Sequence, residues 1–520
     1  MSSALNPYLV QINQNMPRIL ALFDTDPTSP TYGIGDRFRW GWKLIDFGNA
    51  SFQGAAHGFS RLIDAGILPG YISQDSILRR IDEMFLGAKK LTRPNGSLEE
   101  AFPFESSFCV TALVAFDLLK SIELLGEHLT EAKRIEYLQI IERYISFLNR
   151  SNETHAFISN HLATAAAALF AWSRLTKDLV SKKGPALLDQ ILLNQSSEGW
   201  FLEYEGADPG YESLCLYYLN DIYLHHHQKE LELGLDRSVK FLSHFVHPDG
   251  SYGGLYGSRG TRIYCPAAFE ALRDKFPLAK SIANRMRKSV EEFKTVTLSA
   301  IDEPNLIPYF NSYALAAAEF GKCDRPTPNL PLPCEKLGAT QKYFNEAGLF
   351  IDAGDKHYSI ISTHKGGVVY HFYKSDVRLN QINCGVTAYN DKNDFFTTQL
   401  YCHQNQIFIE DNQINIVAKF NKMNKRIPSP LDFILLRILN ISVMRIPFFN
   451  SLIKRLLVKL LITNKSSIGI ENRRIIRLGE SLSIEDSFAG TTEYKYLKEI
   501  KKFSGIHMAS YGYWQVQDDS

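Results

Sequence analysis

The chain has 520 residues, which is too long for one hydrophobic core of ordinary size, so at least two domains are expected. Its 57 lysines and arginines and 56 aspartates and glutamates leave a formal net charge of +1 at pH 7. This balance excludes a global electrostatic field that would attract nucleic acid or another polyanion.

The cysteines and the first residues bear on the cellular compartment. The 7 cysteines are scattered along the chain, and none forms the close pairs that are typical of metal sites. Residues 1–8 lack the basic segment and the continuous apolar run of a secretory signal. We therefore expect a cytoplasmic protein with no metal and no other cofactor.

Helical periodicity dominates the first 320 residues. From about residue 53 onward, apolar residues recur at helical spacing and are interrupted by short turns that contain Gly, Asn or Pro. Counting weaker segments, roughly ten to twelve helices are predicted. The clearest of them cover residues 108–125, 132–148, 162–175, 211–223, 231–245 and 277–293. Repeated helical hairpins close into an α/α barrel or stack into a solenoid, and of these we predict an α/α toroid, an incomplete barrel of hairpins, over residues 1–320.

The sequence changes character at residues 321–335. Four prolines lie between positions 326 and 333, and they cannot continue a helix, which predicts a linker. Beyond it, short alternating segments predict strands at residues 349–353, 357–362, 367–373, 388–389, 395–401 and 406–410. We expect residues 336–520 to form an antiparallel β-sandwich domain, so the whole chain is predicted to be an α+β multidomain protein.

One apolar segment interrupts this β pattern. Pro447 divides residues 431–463 into two amphipathic helices, and neither reaches the roughly 20 apolar residues that a membrane span requires. The segment is rich in Leu, Ile and Phe, yet it also carries five basic residues: Arg437, Arg445, Lys454, Arg455 and Lys459. Two interpretations stay open: a helix pair in a membrane interface facing anionic headgroups, or one that caps the β-domain or forms a dimer contact.

Residues 198–214 crowd aromatic side chains, carboxylates and glycines before a predicted helix. Gly206 and Gly210 would let the backbone approach a ligand closely. Flat faces for sugar rings and acceptors for hydroxyl groups are offered by Trp200, Phe201, Tyr204, Tyr211, Glu203, Glu205 and Asp208. This composition indicates a sugar-binding loop, although aromatic and glycine-rich loops also occur as plain helix connections.

Two histidine motifs are candidates to share a site with this loop. Asn160 and His161 begin an alanine-rich predicted helix, whose small residues let neighbouring helices pack closely. Tyr211 also begins a helix, and two such helix starts on one side of an α/α barrel would face each other. His364 lies before a strand and two glycines, where it could project into a cleft between the domains. We therefore predict one cluster of these four residues.

The order of these features resembles a known family. A toroid, a Pro-rich linker and a β-sheet domain, with Asn-His, then Gly-Tyr, then a His before a strand, is similar to the heparinase II/III-like proteins and the related alginate lyases. Residues 32–47 also resemble a segment of those members that accompany bacterial surface-polysaccharide synthesis. Residues 95–108 and 247–259 strengthen the resemblance, which covers nearly the whole chain.

The resemblance implies β-elimination on a uronic acid. The proton next to the carboxylate is only weakly acidic, so an enzyme must neutralise that carboxylate and supply a base. By the family pattern, Asn160 and His161 would hold the carboxylate. Tyr211 would act as the base or as the acid for the departing oxygen, with His364 as its partner. A free tyrosine, with a pKa of about 10, is a poor base, so nearby cations would have to lower that pKa.

Other residues would contact the substrate. Arg259 and Arg262, in a Gly-rich loop, are candidates for binding carboxylate or sulfate, because guanidinium binds such groups bidentately; the alternative is an exposed turn. With residues from the two loops described above, the predicted substrate-binding set is Trp200, Tyr204, Glu205, Asp208, Arg259, Arg262, Glu100 and Glu105.

The residues after His364 depart from the family pattern. Lyases of this group usually carry an acidic residue near that histidine, whereas Lys365, Gly366 and Gly367 follow it here, so no metal is expected in the β-domain. Together with the expected cytoplasmic location, this favours a biosynthetic role on a polysaccharide or lipid-linked glycan at the inner face of a membrane. Peripheral membrane contact through residues 431–463 would fit that role, and no nucleic-acid partner is expected.

Three other functions stay open at this stage. A uronate 5-epimerase would abstract the same proton and return it to the opposite face. A toroid without catalytic activity would hold a glycan or scaffold a synthesis complex. An α/α-barrel glycoside hydrolase would need two carboxylates about 5 to 10 Å apart in a cleft. The candidates for that pair are Glu99, Glu100, Glu105, Glu203, Glu205 and Asp208.

Overall fold

A computed structural model describes residues 5–154, 156–177, 182–322, 327–423, 427–458, 466–489, 494–497 and 503–505. Helices occupy the chain as far as Glu319, and the first strand begins at Thr340. Residues 323–326 of the predicted linker and residues 459–463 of the predicted helical insertion lie outside the described residues.

The helices of the first part follow one another with short connections. They are α1 (Pro7–Leu20), α2 (Arg37–Trp40), α3 (Ala55–Asp64), α4 (Gln74–Leu91), α5 (Phe108–Leu125), α6 (Glu131–Arg150), α7 (Ser159–Thr176), α8 (Lys183–Leu193), α9 (Pro209–His226), α10 (Lys229–Leu242), α11 (Ala267–Leu272), α12 (Pro277–Glu291) and α13 (Glu303–Glu319). Within the described residues, eleven α-helices therefore lie between Ala55 and Glu319, in agreement with the predicted ten to twelve.

Local sequence explains where several of these helices begin. The Ser107 side chain accepts a hydrogen bond from the Val110 N–H at the start of α5. Asp208 does the same for the Tyr211 N–H at the start of α9, where Pro209 occupies the first turn. Ser and Asp are favoured caps because they satisfy backbone N–H groups that have no partner inside the helix, and Pro fits the first turn because its φ is already helical.

Alternate helices form a ring of contacts. Helices α3, α5, α7, α9, α11 and α13 each pack on the next, and α13 packs back on α3. Buried alanines recur in successive turns of α7, and their small side chains let this helix pack closely against α5 and α9. The inner helices alternate with outer ones that return the chain, so their N-terminal ends meet at one end of the toroid.

Two antiparallel sheets follow the toroid. The first has the order β1 (Thr340–Phe344), β2 (Leu349–Ala353), β3 (His357–Ser362), β4 (Val368–Tyr373) and β5 (Gln381–Asn383). The second has the order β11 (Ser483–Ala489), β10 (Ser467–Arg477), β9 (Gln413–Lys422), β7 (Phe395–Thr397), β6 (Thr387–Tyr389) and β12 (Lys495–Leu497), and β8 (Gln406–Glu410) pairs with β9. The architecture is therefore an α/α toroid followed by an antiparallel β part.

The first sheet lies between the toroid and the second sheet. Phe350, Ile361 and Val369 on one face share a core with Ile414 and Ile416 of the second sheet, which makes the two sheets a sandwich. The alternate residues of β2, β3 and β4 belong to the core of the toroid. Successive side chains of a strand point to opposite faces, so a sheet covered on both faces is buried in nearly every position, as β2 to β4 are.

A helix pair is inserted between β9 and β10. It consists of α14 (Pro430–Ile441) and α15 (Pro447–Val458), and it contacts loops of the toroid. Arg437 pairs with Asp46 at 2.9 Å, and the Asn450 amide donates to the Phe104 carbonyl at 2.8 Å. Among the helices of the described residues, none combines the length and the apolar character that a crossing of the bilayer needs.

Candidate functional site

The buried carboxylate of Glu203 lies at the N-terminus of α7. Its Oε1 accepts the backbone N–H of Asn160 at 3.0 Å, and its two oxygens accept the Asn160 amide at 2.8 and 2.9 Å. The residue is held there by backbone pairing with Ile158 and Gly206. A helix N-terminus favours an anion, because its backbone N–H groups carry partial positive charge. Asn160, predicted to bind substrate, is therefore the partner of an internal carboxylate.

Arg259 links Glu203 to the predicted reacting tyrosine. Its Nη1 lies 3.3 Å from Glu203 Oε2, and its guanidinium carbon lies 3.4 Å from the centre of the Tyr211 ring and 5.1 Å from that of Tyr204. Both members of the ion pair are buried. A cation over an aromatic face is attracted by the negative charge of that face, and more strongly where water is excluded. Asn160, Glu203, Arg259 and Tyr211 thus form one continuous group of contacts.

Burial sets the protonation of this group. Loss of solvent raises the pKa of Glu203 to about 7, although Arg259 and the Asn160 hydrogen bonds act in the opposite direction. Burial lowers the pKa of Arg259, but electrostatic interactions with Tyr211, Tyr204 and Glu203 more than offset this, so that the pKa lies above its usual range. Arg259 is therefore charged throughout, whereas Glu203 changes charge near neutral pH.

Asp208 holds the start of α9 against the loop that carries Arg259. Its carboxylate accepts the backbone N–H groups of Tyr211 at 3.1 Å, Arg259 at 3.0 Å and Thr261 at 3.2 Å, and it also accepts the Thr261 hydroxyl. Asp208 is fully buried. These contacts make it a positioning residue for Tyr211 and Arg259, whereas the sequence had suggested that it accepts substrate hydroxyl groups.

Tyr204 occupies a backbone conformation that is uncommon for residues other than glycine. Its φ is 60°, and its N–H donates to the Phe157 carbonyl at 3.1 Å. Burial raises the pKa of its phenol to about 12. Residues held in the left-handed region cost free energy, and such conformations cluster at functional sites. The strained position keeps the Tyr204 ring beside the Arg259 guanidinium.

A small cavity is lined in part by Tyr211. Its volume is about 60 Å³, and Leu214, Ile263 and Pro308 are among its apolar lining residues, with Asn305 as a polar one. A cavity of this size holds a few water molecules and is well below the volume of a typical ligand pocket. A glycan ring would therefore need more room beside Tyr211 than this cavity offers.

His364 approaches the toroid from the turn after β3. Its Nδ1 lies 3.1 Å from the Tyr401 hydroxyl, which donates to the Ala347 carbonyl at 3.1 Å. The hydroxyl therefore accepts from His364 Nδ1–H, and the lone pair of the imidazole is on Nε2. Burial, and then the neighbouring His403, lower the pKa of His364 to about 4. At neutral pH this histidine is an uncharged proton acceptor.

The loop around Tyr401 joins the β-sandwich to the Glu203 loop. The His403 Nε2–H donates to the Glu205 carbonyl at 2.9 Å, and a Cβ atom at Gly206 would overlap the Tyr401 hydroxyl. Gly206 therefore permits the close approach of the two loops. These contacts bring His364, the predicted residue of the β-domain, to the same loop as Glu203.

Lys365 makes a second connection between the two parts. Its ammonium group is fully buried and donates to the carbonyls of Leu255 at 2.5 Å and Gly257 at 2.9 Å. Burial lowers the pKa of Lys365 to about 8. The Leu255 and Gly257 carbonyls belong to the loop that precedes Arg259. Lys365 thereby couples the position of His364 to that of Arg259.

Several predicted site residues have other surroundings. His161 Nδ1 pairs with Glu153 Oε2 at 2.8 Å at the rim of α7. Trp200 belongs to the hydrophobic core, and its indole N–H donates to Glu198 at 3.0 Å. Glu205 is exposed, and Arg262 is half-buried. Both residues were predicted as direct substrate contacts, and this exposure is compatible with that role.

Glu100 and Glu105 lie in the loop before α5. Glu105 Oε2 accepts the backbone N–H groups of Glu100 at 3.2 Å and Ala101 at 2.8 Å, and Glu100 accepts the Ser107 hydroxyl at 2.9 Å. These hydrogen bonds fold the loop that the helix pair α14–α15 contacts at Phe104. In the described part of the chain, no three His, Cys, Asp or Glu side chains are grouped to hold a metal ion.

Three residues of this site were missed as site residues from the sequence. Glu203 was considered only as a hydroxyl acceptor or a hydrolase carboxylate, and neither Tyr401 nor His403 was considered at all. The spacing from Asn160 to Glu203 is 43 residues, and that from Glu205 to His403 is 198 residues. No local pattern connects residues so far apart. Gly206, near the carboxylates of Glu205 and Asp208, was a local signal of a close approach.

Comparisons with known proteins give similarities of structure alone. No family model matches the chain, and no curated protein matches it significantly in sequence. A Paenibacillus xanthan lyase is 12% identical, with a TM-score of 0.46 over 80% of this chain and 46% of that chain. The chondroitin AC lyase of Streptomyces coelicolor A3, in complex with chondroitin sulphate, is 10% identical, with a TM-score of 0.45 over 81% and 69%.

A third similar structure is the cellobiose 2-epimerase of Bacillus thermoamylovorans, which is 10% identical, with a TM-score of 0.44 over 61% of this chain and 100% of that chain. This chain therefore spans the whole length of the epimerase but less than half of the xanthan lyase. These similarities concern chain architecture and assign no activity.

Proposed function

We propose that this protein acts on a uronic-acid-containing polysaccharide or lipid-linked glycan and cleaves it by β-elimination, removing the proton next to the carboxylate. The observation that carries the proposal is the Arg259 guanidinium, which lies 3.4 Å from the centre of the Tyr211 ring. Negative charge that develops on Tyr211 when it gives up its proton would be stabilised by this fixed cation.

Tyr211 and His364 serve as the acid–base pair of this mechanism. The neutral imidazole of His364, with its lone pair on Nε2, accepts a proton, and the Tyr211 hydroxyl supplies one to the departing glycosidic oxygen. The opposite assignment uses the same two residues, with Tyr211 as the base. In both cases Tyr211 is deprotonated at one stage, and Arg259 acts at that stage.

In this proposal, Arg259 and Arg262 bind the substrate carboxylate. Because the Asn160 amide is already bonded to both Glu203 oxygens, Asn160 acts through Glu203. The pKa of Glu203 is about 7, so near neutral pH this residue can take up a proton. A neutral Glu203 would leave the Arg259 charge to pair with an incoming uronate, which supports a role for Glu203 as an exchangeable counter-ion.

Burial makes three of the six carboxylates that were candidates for hydrolysis unsuited to that reaction. A hydrolase needs one carboxyl group at each side of the glycosidic bond, open to substrate and water. Glu203 and Asp208 are fully buried, and Asp208 accepts four hydrogen bonds within the protein. Glu105 is also buried, beneath its own loop.

A cytoplasmic, biosynthetic setting is part of the proposal. Within the described part of the chain, none of the six cysteines is in a disulfide, which agrees with folding in a reducing compartment. In such a setting the substrate would be a polymer under synthesis or an oligosaccharide carried on a lipid.

The test is a screen of the purified protein against uronate-containing polymers and lipid-linked oligosaccharides in deuterated and ordinary water. Elimination produces an unsaturated uronate, which absorbs in the ultraviolet. Deuterium entering the sugar without cleavage would identify an epimerase instead. Hydrolysis without an ultraviolet signal, or glycan binding without any turnover, would reject the proposed chemistry.

A further inference from the structure

The helix pair α14–α15 exposes apolar side chains to an unusual degree. Within α14, the buried residue is Asn440, whereas most of its leucines, isoleucines and phenylalanines face outward. The same inversion occurs in α15, where Asn450 is buried but Phe448 and Leu452 are exposed. An amphipathic helix on a water-soluble surface turns its apolar side inward. The outward side of this pair therefore matches an apolar environment outside the protein.

A remote segment extends the apolar surface. Phe38, Trp42 and Leu44 are all exposed, and Trp42 and Leu44 have exposed fractions of 68% and 81%. The ion pair between Asp46 and Arg437, at 2.9 Å, ties this segment to α14. We call the combined surface the apolar platform. Its exposed residues are Phe38, Trp42, Leu44, Leu431, Phe433, Ile434, Leu435, Ile438, Ile441, Ile446, Phe448, Phe449, Leu452 and Leu456. Surfaces of this extent on a folded protein mark interaction sites.

The charges around the platform select among its possible occupants. Residues 427–458 carry four basic residues and one acidic residue, Asp432, and the Asp432 carboxylate accepts the hydroxyl and N–H of Ser429 at the start of α14. A two-fold dimer through this surface would bring the basic groups of both copies together, and like charges disfavour such contacts. An anionic lipid surface would be attracted by the same charges.

The lengths of α14 and α15 favour an orientation of both helices parallel to the membrane surface. Each helix has 12 residues and is therefore about 18 Å long, whereas the hydrocarbon core of a bilayer is about 30 Å thick. Helices of this kind lie in the interface with the apolar side in the acyl chains and the basic residues among the headgroups. Exposed tryptophans such as Trp42 are also typical of that region.

We propose that the apolar platform binds the surface of an anionic lipid bilayer as a peripheral membrane anchor. Asn450 connects the platform to the loop before α5, and the N-terminal ends of α5, α7 and α9 lie at the same end of the toroid. The membrane would thus be placed at the end of the toroid where α9 presents Tyr211. This inference stands on the exposed side chains and does not depend on the proposed reaction.

The test is flotation of the full-length protein with vesicles of phosphatidylcholine alone and of phosphatidylcholine with phosphatidylglycerol. We expect the wild type to float with the anionic vesicles and to be released by added salt. The double variant Ile434→Glu, Phe448→Glu should lose vesicle binding about tenfold or more, because charge cannot enter the acyl region. The matched control is Leu193→Glu, Leu337→Glu, which changes two leucines that are 85% and 79% exposed outside the platform.

The control variant should bind vesicles as the wild type does. Equal binding by the platform variant, or no flotation of the wild type with either vesicle, would overturn the proposal. Sedimentation velocity provides a separate outcome: a wild-type dimer that the platform variant abolishes, without vesicle binding, would assign the surface to a second copy of the chain. All altered positions are exposed, and circular dichroism should show unchanged melting for both variants.

Discussion

Two regions depart from the usual distribution of side chains, in opposite ways. One is the junction between the toroid and the β-sandwich, and the other is the helix pair α14–α15. The junction buries charged and titratable groups, among them Glu203, Arg259 and Lys365, and gives them partners. The helix pair exposes apolar groups and buries asparagines. Buried charge is costly unless it is paired, and exposed apolar surface is costly in water. Each departure from the ordinary pattern therefore indicates a different kind of function.

Tyr211→Phe should produce the largest effect if the junction is catalytic. Removal of the hydroxyl abolishes proton transfer, so we expect the rate to fall about 10²- to 10⁴-fold with the melting temperature nearly unchanged. The rate is measured as ultraviolet absorbance of the unsaturated product on the substrate found by screening. Tyr71→Phe, at an exposed tyrosine on the outer surface of the toroid, is the control. Full activity in the Tyr211 variant would remove this residue from the mechanism.

The pH dependence of stability should distinguish Glu203 from His364, both buried at the junction. The pKa of Glu203 is about 7 in the folded protein and near 4.5 when unfolded, so the folded state binds the extra proton between these values. The contribution of Glu203 to stability is therefore present below about pH 4.5 and is lost as pH rises through 7. The loss amounts to about 3 kcal/mol.

His364 should act with the opposite sign. Its pKa is about 4 when folded and near 6.5 when unfolded, so its contribution is present above pH 6.5 and is lost as pH falls through 4. Denaturant titrations of Glu203→Gln and His364→Gln from pH 4 to 8 measure both terms. Compared with the wild type, Glu203→Gln should lose less unfolding free energy as the pH rises from about 4.5 to 7. His364→Gln should lose less unfolding free energy as the pH falls from 6.5 to 4. Unchanged curves would contradict the assigned protonation.

Gly348→Ala tests whether close packing at the junction contributes to stability and activity. A Cβ atom there would overlap the His364 ring, and φ at Gly348 is 63°. We expect a loss of about 1 to 3 kcal/mol in the free energy of unfolding, together with lower activity. Gly338→Ala is a matched control, because its φ is 85° but a Cβ atom would meet open space. Equal losses in the two variants would show that backbone conformation alone is responsible.

Ile434→Glu should have the smallest effect on folding. The side chain is 56% exposed, so its replacement removes little buried area, and the free energy of unfolding should change by less than about 0.5 kcal/mol. Urea denaturation without lipid measures this change. A loss of several kcal/mol would mean that α14 contributes to the core, and the contrast between the two regions would fail.

The sequence predicted the larger part of the fold. Helical periodicity and short alternating segments are local signals, and the corresponding helices and the change to strands are present among the described residues. Of the site, the sequence identified Asn160, Tyr211, Arg259 and His364 as candidates. The sequence did not predict which residues each of them contacts, including the hydrogen bonds between Asn160 and Glu203.

Those contacts depend on tertiary structure for a physical reason. A cap or a helical period acts over a few residues, whereas the hydrogen bond between His403 and Glu205 joins residues 198 positions apart. Ring closure by α13 on α3, the burial of Asp208 and the outward apolar side of α14 all follow from how complete elements pack. The amino-acid sequence by itself determined which elements form and which residues begin them. Packing decided which side chains meet and which remain exposed.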